Sequence, residues 1–169
     1  MKSVKLQLDF EEHEPRESGT ETVRVMFAPN PGEPPKPLQE VASGGELSRV
    51  MLIIKKLFRD RSGVNILIFD EVDTGVSGAV AQAVGEKMCE ISEFSQVICI
   101  THLPQVACYA DRHFAIAKSS GKRTRSIVSV LEGEQQVEEL AKMLSGYEVT
   151  AAARESARQL LSSKIGRTG

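Results

Sequence analysis

No stretch of this 169-residue sequence approaches the roughly 18 to 20 consecutive apolar residues that a membrane helix needs. The residues after Met1 alternate like a strand and lack the charged-then-apolar pattern of a secretory signal. A soluble, cytoplasmic chain with no membrane partner is therefore expected. Cysteine is sparse: Cys89, Cys99 and Cys108 are odd in number and show no C-x-x-C spacing. Neither a disulfide framework nor a zinc site is indicated, and thiols buried in a reducing compartment are expected. An excess of one charge is missing too, because 21 Lys and Arg against 23 Asp and Glu leave a net charge of −2. Such a chain has no global attraction to nucleic acid, although a local basic patch stays possible. Aromatic residues make up only 5%, which gives little for stacking nucleic-acid bases.

What is present is the composition of a globular domain. Hydrophobic residues are 41% and charged residues 26% of the chain, close to the soluble average, so a core can be buried. The first forty residues carry most of the prolines and an acidic excess. Within them Val4 to Phe10 and Thr22 to Phe27 alternate with period two around a polar turn at Ser18-Gly19, which predicts an antiparallel strand pair. Pro29, Pro31, Pro34, Pro35 and Pro37 then predict a stiff loop without regular structure up to about Leu38.

From Glu46 the period becomes helical. Leu47, Val50, Met51, Ile54, Leu57 and Phe58 form an apolar stripe that ends at Ser62-Gly63. Val64 to Phe69 and Gln96 to Ile100 are short continuous apolar runs, the mark of strands buried on both faces of a parallel sheet. Helices are predicted over Ala79 to Ile91 and Leu103 to Ala110, giving the strand–helix alternation of an α/β fold with a mostly parallel sheet. His113 to Lys118 and Ser126 to Leu131 predict a hairpin through Ser119-Ser120-Gly121-Lys122. Two helices, Val137 to Leu144 and Ala151 to Ser162, close the chain, the second capped by Thr150.

Three places carry chemistry. Ile66-Leu67-Ile68-Phe69 delivers two adjacent carboxylates, Asp70 and Glu71, to the carboxyl end of a strand, the edge where ligands bind in open α/β sheets. In nucleotide hydrolysis the first such carboxylate holds Mg²⁺, directly or through water, and the second orients or deprotonates the attacking water. An acidic loop start after a core strand is the plainer alternative. Ser43-Gly44-Gly45-Glu46 opens an amphipathic helix, and the free amides and positive dipole end there suit an anion, with Ser43 as an added donor. Alternatively Ser43 is simply a helix cap and the glycines a turn. His102, after the strand ending at Ile100, lies at the same edge as Asp70 and Glu71 if the two strands are neighbours.

The order and spacing of these pieces resemble the second half of an ATP-binding-cassette ATPase head, of the structural-maintenance-of-chromosomes (SMC) class. Ser43-Gly44-Gly45-Glu46 matches the signature motif, Ile66 to Glu71 the Walker B strand, Val72 to Gly78 the D-loop region, and His102 the switch histidine. Val41 to Arg49, Phe69 to Gly78 and Thr101 to Ala107 are similar to bacterial DNA-repair members of that class, over nearly the whole chain. Transporter cassettes usually carry glutamine in place of Glu46 and Pro-Thr in place of Val72-Asp73, so the repair branch is the better match. Many cassettes end the D-loop with aspartate where this chain has Ser77, within Gly75-Val76-Ser77-Gly78. That glycine-flanked form weakens the generic match and supports the specific one.

The phosphate-binding loop G-x-x-x-x-G-K-[ST] is absent. Gly121-Lys122 is a decoy, since Arg123 follows the lysine and Ile116 replaces the first glycine. The resemblance implies that residues 1–169 are one C-terminal lobe of a split head: a strand pair and Pro-rich loop over 1–40, then the motifs over 41–169. Its partner would be an N-terminal lobe with the phosphate loop, joined through a coiled coil, which makes Met1 an artificial or fragmentary start. Asp70, Glu71 and His102 would complete an ATP and Mg²⁺ site in cis, and the signature would cap nucleotide on the second head of a homodimer. DNA double-strand-break repair and recombination is the implied setting, with ATP hydrolysis by the intact protein and an inactive lobe alone. Two other readings remain, a non-catalytic α/β module for dimerisation or DNA tethering and, less well matched, a transporter cassette. The basic residues Lys118, Lys122, Arg123 and Arg125 could touch DNA phosphates or form a solvated hairpin.

Overall fold

A computed structural model describes residues 5–28, 32–41, 43–57, 65–119, 125–146 and 148–165. It divides into two compact units, Met1–Leu47 and Ser48–Gly169. In the first, β1 (Lys5–Arg16) and β2 (Gly19–Ala28) form the expected antiparallel pair, and Gly19 takes the left-handed φ of 116° that the tight turn requires. The register runs from Lys5↔Ala28 to Phe10↔Val23 and shifts between Glu12 and Arg16. The proline stretch is not wholly irregular. β3 (Lys36–Pro37) pairs with β2 at Phe27↔Lys36 and Met26↔Pro37, a position proline tolerates because an edge strand can do without one N–H. α1 (Leu38–Val41) follows at once, and Phe27, Ala28 and Leu38 are buried. Pro29 and Pro31 lie outside the described residues.

The signature segment opens α2 (Gly44–Leu57). In the second unit β4 (Ile66–Phe69), α3 (Gly78–Ser92) and β5 (Gln96–Cys99) form a strand–helix–strand unit, with β4 and β5 parallel from Ile66↔Gln96 to Phe69↔Cys99. α4 (Pro104–Ala107), the antiparallel pair β6 (His113–Ser119) and β7 (Arg125–Leu131), α5 (Glu134–Ser145) and α6 (Ala151–Ile165) complete the chain. Thr150 caps α6 as expected, its Oγ1 accepting from the Ala153 amide at 3.1 Å. Phe58, Ser62-Gly63, Val64 and the turn through Gly121-Lys122 lie outside the described residues.

The α/β class is present, but the mostly parallel sheet narrows to one parallel pair, because among the described residues the other pairings are antiparallel. Burial of both strand faces also needs correction. Leu67, Phe69, Val97 and Cys99 pack on a core built from Leu52, Val72, Ala81, Val84, Met88, Ile91 and Val106. The alternate residues Ile66, Ile68, Ile98 and Ile100 are exposed, Ile68 by 67%. The physical reason is that α2 and α3 supply core residues to one and the same face of the pair.

The predicted stripe on α2 differs in the same way. Leu47, Met51 and Leu57 are exposed, Val50 and Ile54 are half-buried, and the large side chain buried from α2 is Leu52, at 2%. Full burial of a leucine contributes about 1.5–3 kcal/mol, and Leu52 is the α2 side chain in that core. A second core joins Ala107, Cys108 and Tyr109 to Val137, Leu140, Ala141, Ala153 and Ala157. There Arg154 forks onto Glu138 at 2.7 and 3.1 Å, binding α5 to α6. All three cysteines are free thiols, Cys108 buried and the other two half-buried.

Candidate functional site

The parallel register settles the conditional placement of the histidine. β4 and β5 end side by side, and the Ile100 amide donates to the Phe69 carbonyl at 2.9 Å, so Asp70-Glu71 and Thr101-His102 emerge from the same sheet edge. Asp70, Glu71 and His102 are all exposed there. Glu71 is the one non-glycine residue with positive φ among those described, at 57°. That conformation is sterically costly for a residue with a Cβ. A turn follows, closed by the Thr74 amide on the Glu71 carbonyl at 3.0 Å. Gly75 (φ 72°) and Gly78 (φ 53°) then supply left-handed corners around Val76 and Ser77. Ser77 caps α3 through extended backbone only, and its hydroxyl makes no capping bond.

Three residues that the sequence did not single out hold this loop. Ser48 Oγ donates to the Asp70 carbonyl at 3.2 Å. Arg49 Nη1 donates to the carbonyls of Val72 at 3.1 Å and Thr74 at 2.9 Å, tying the second turn of α2 to the D-loop. Asp73 is the third, a carboxylate only 2% exposed. Its Oδ2 accepts from Thr101 Oγ1 at 2.5 Å and from the His102 amide at 3.1 Å, with His102 Nδ1 at 3.3 Å. The available signal was the hydroxyl beside His102, a donor fit for a buried acid. The pairing spans 28 residues, and no local pattern in one sequence reports it.

Beneath the loop, burial, reinforced by the Asp73 and Asp70 carboxylates, pushes the Cys99 thiol up to about 12. The reactive thiolate is then scarce near neutrality. Alkylation at about pH 8 is expected to spare Cys99 in the folded chain and to modify it after unfolding. Rapid native-state labelling of Cys99, read by peptide mass spectrometry, would contradict this.

The signature residues fall in the other unit and make a local structure of their own. The Glu46 amide donates to Ser43 Oγ at 3.3 Å, and the Ser43 amide donates to Glu46 Oε2 at 3.1 Å, a reciprocal capping box. Ser43 Oγ also donates to Glu46 Oε2 at 3.1 Å. The capping alternative is thus realised, and Gly44-Gly45 form the first turn of α2. Of the basic cluster, Lys118 and Arg125 lie at the end of the β6–β7 pair where the two strands connect, while Lys122 and Arg123 lie outside the described residues.

Among the described residues no group of three or more His, Cys, Asp or Glu side chains could hold a metal ion. The exposed Asp70 and Glu71 carboxylates at the strand end fit an ion that takes most of its ligands from phosphates and water, as Mg²⁺ does, and do not fit a metal held by protein alone.

No family model matches the chain. Curated relatives do. DNA repair protein RecN of Halalkalibacterium halodurans is 53% identical over 147 residues, covering 86% of this chain and 26% of the relative. RecN of Bacillus subtilis is 51% identical, over 86% of this chain and 25% of the relative. RecN of Streptomyces coelicolor is 46% identical, over 85% and 25%. The chain is a homologue of RecN. It spans about a quarter of the length of the RecN proteins it matches.

The fold agrees with that relationship. The Smc head domain with coiled coil and joint from Pyrococcus yayanosii superposes with a TM-score of 0.62 at 25% identity, covering 86% of this chain and 26% of that one. The Smc head from Pyrococcus furiosus, bound to the C-terminal domain of ScpA, gives 0.57 at 25% identity over 84% and 33%. A chain from work on ATP-driven dimerization and DNA-stimulated activation of SMC ATPases gives 0.52 at 19% identity, over 82% and 81%. The architecture is that of an SMC ATPase head. Among the described residues no helix is long and apolar enough to cross a membrane.

Proposed function

We propose that residues 1–169 are the C-terminal lobe of an SMC-like ATPase head that acts in DNA double-strand-break repair and recombination in the cytoplasm, at the nucleoid. The observation that carries this reading is the pairing of hydrolytic groups at one sheet edge with an uncovered apolar face on the same strands. Asp70, Glu71 and His102 share the edge, while Ile66, Ile68, Ile98 and Ile100 are exposed. An apolar surface of this kind marks a site of association. The occupant in this reading is the protein's own N-terminal lobe, which brings the phosphate loop that the sequence lacks.

Within the completed site Asp70 holds Mg²⁺ directly or through water, and Glu71 orients and deprotonates the attacking water. His102 faces the terminal phosphate. Bound Mg²⁺ contributes neutralisation of the charge on the transferring phosphoryl group. Ser43, Gly44, Gly45 and Glu46 cap nucleotide held by the second head of a homodimer, and Gly75, Val76, Ser77 and Gly78 line the junction between heads. DNA is engaged by the intact protein.

Calorimetry tests the division of labour. The 169-residue chain alone is expected to show no micromolar binding of Mg-ATP, and adding a separately expressed N-terminal lobe should restore binding and turnover. Micromolar binding by the chain alone would sink the split-site reading. Association of the lobes without any hydrolysis would favour a non-catalytic interaction module instead.

A further inference from the structure

Asp73 is the one buried charged side chain among the described residues. A carboxylate taken out of water is costly unless hydrogen bonds replace its hydration. Here two hydrogen bonds come from a single dipeptide, from the Thr101 hydroxyl and the His102 amide to Oδ2, and His102 Nδ1 lies 3.3 Å from the same oxygen. Thr101 Oγ1 in turn accepts from the Leu103 amide at 3.0 Å, so its own proton is directed to Asp73. The His102 side chain is 73% exposed, and without a tether it would sample several rotamers.

We propose that Asp73 is the positioning residue for His102: its carboxylate holds the imidazole by Nδ1, fixes the Nδ1–H tautomer of the neutral ring and leaves Nε2 facing outward. A buried carboxylate used this way on a histidine sets both ring orientation and tautomer. Asp73 sits two residues after Glu71 in the turn closed by Glu71 and Thr74. One turn therefore presents Glu71 to solvent and anchors His102 from below, so the two groups are placed by the same backbone segment. The catalytic consequence rests on the ATPase reading; the tautomer assignment does not.

Long-range proton–nitrogen NMR of the 169-residue chain, above the pH at which His102 is protonated, reads the tautomer directly. His102→Gln assigns its signals against His13 and His113. The expected result is a protonated Nδ1 on His102. A protonated Nε2, or the averaged signals of a freely exchanging ring, overturns the proposal without any variant needing to fold.

In the full-length protein Asp73→Ala is expected to lower kcat roughly 10–100-fold, the size seen when a histidine loses its orienting partner, with KM for ATP within about twofold. Asp73→Asn keeps an acceptor oxygen and should fall between that variant and wild type. His102→Ala with Asp73→Ala should be no slower than His102→Ala alone, since residues acting through one another are not additive. Additive losses would assign Asp73 a purely structural role and overturn the proposal. Glu71→Gln serves as the separate control: full turnover there would refute the ATPase reading while leaving the tautomer result to stand or fall alone.

Discussion

Glu71→Gly is expected to stabilise the chain while removing its contribution to ATP turnover. The backbone at Glu71 sits at φ 57°, where a Cβ crowds the carbonyl at a cost of roughly 1–2 kcal/mol, partly offset in the glycine variant by a more flexible unfolded chain. A net gain of about 1 kcal/mol should raise Tm by about 2–4 °C. Glu71→Gln shares the Cβ, and with it the strain, so its Tm should stay near wild type. In the site proposed above Glu71 deprotonates the attacking water, so in the full-length protein both substitutions should lower turnover by about 10²–10⁴-fold. Nucleotide binding should persist, since Asp70 is untouched. Thermal denaturation of both variants, with steady-state hydrolysis in the full-length protein, separates the two effects. A destabilised glycine variant would remove the strain argument, and wild-type turnover in Glu71→Gln would remove the catalytic one.

Gly85→Val should produce the largest loss of stability. A Cβ at Gly85 would stand 2.4 Å from Tyr109 Cδ2, 2.9 Å from Cε2 and 3.1 Å from the Gln105 carbonyl. The ring has little room to yield, for Tyr109 is buried and its hydroxyl donates to Glu86 Oε1 at 3.2 Å. Overpacking of this kind costs about 1–3 kcal/mol for small insertions, and the two further methyls of valine put the variant at or above the upper figure. The expected fall in Tm is about 6–12 °C. Because α4 follows directly on Thr101-His102-Leu103, the same substitution should broaden the His102 resonances. Tyr109→Leu in the same chain should return part of the loss, and an unchanged melting curve for Gly85→Val would show that the α3–α4 contact is looser than described.

Much of this architecture could be read from single-sequence patterns where the signal is local. The Asp70-Glu71 pair after a four-residue apolar run, the Thr150 cap and the strand–helix–strand order all follow from neighbouring residues. Where the reading failed, the deciding contact was remote. The apolar runs at Ile66–Phe69 and Gln96–Ile100 encode two apolar faces, yet the chain itself covers only one. On α2 the periodicity of Leu47, Met51 and Leu57 is real, but the core takes Leu52, because the polar ends of Ser48 and Arg49 bond to the loop after β4 and set the rotation of the helix. Asp73 resembled any acid in a turn, and only its distant partners, Thr101 and His102, explain why it is buried.

The capping box at Ser43 and Glu46 has a similar logic. A helix start with two glycines is compatible with anion binding and with simple capping, and the sequence could not choose between them. The structure shows the Ser43 hydroxyl engaged by Glu46.

The outer face of the parallel pair also bears on how this chain would respond to mutation. Ile66, Ile68, Ile98 and Ile100 contribute little to the fold that they belong to, since each keeps much of its surface in water. Exchanging them for threonine should scarcely move the melting point of the isolated chain. A saturation screen scored on the stability of this chain would therefore pass over these four positions, and a screen scored on association with a partner would be the one to find them.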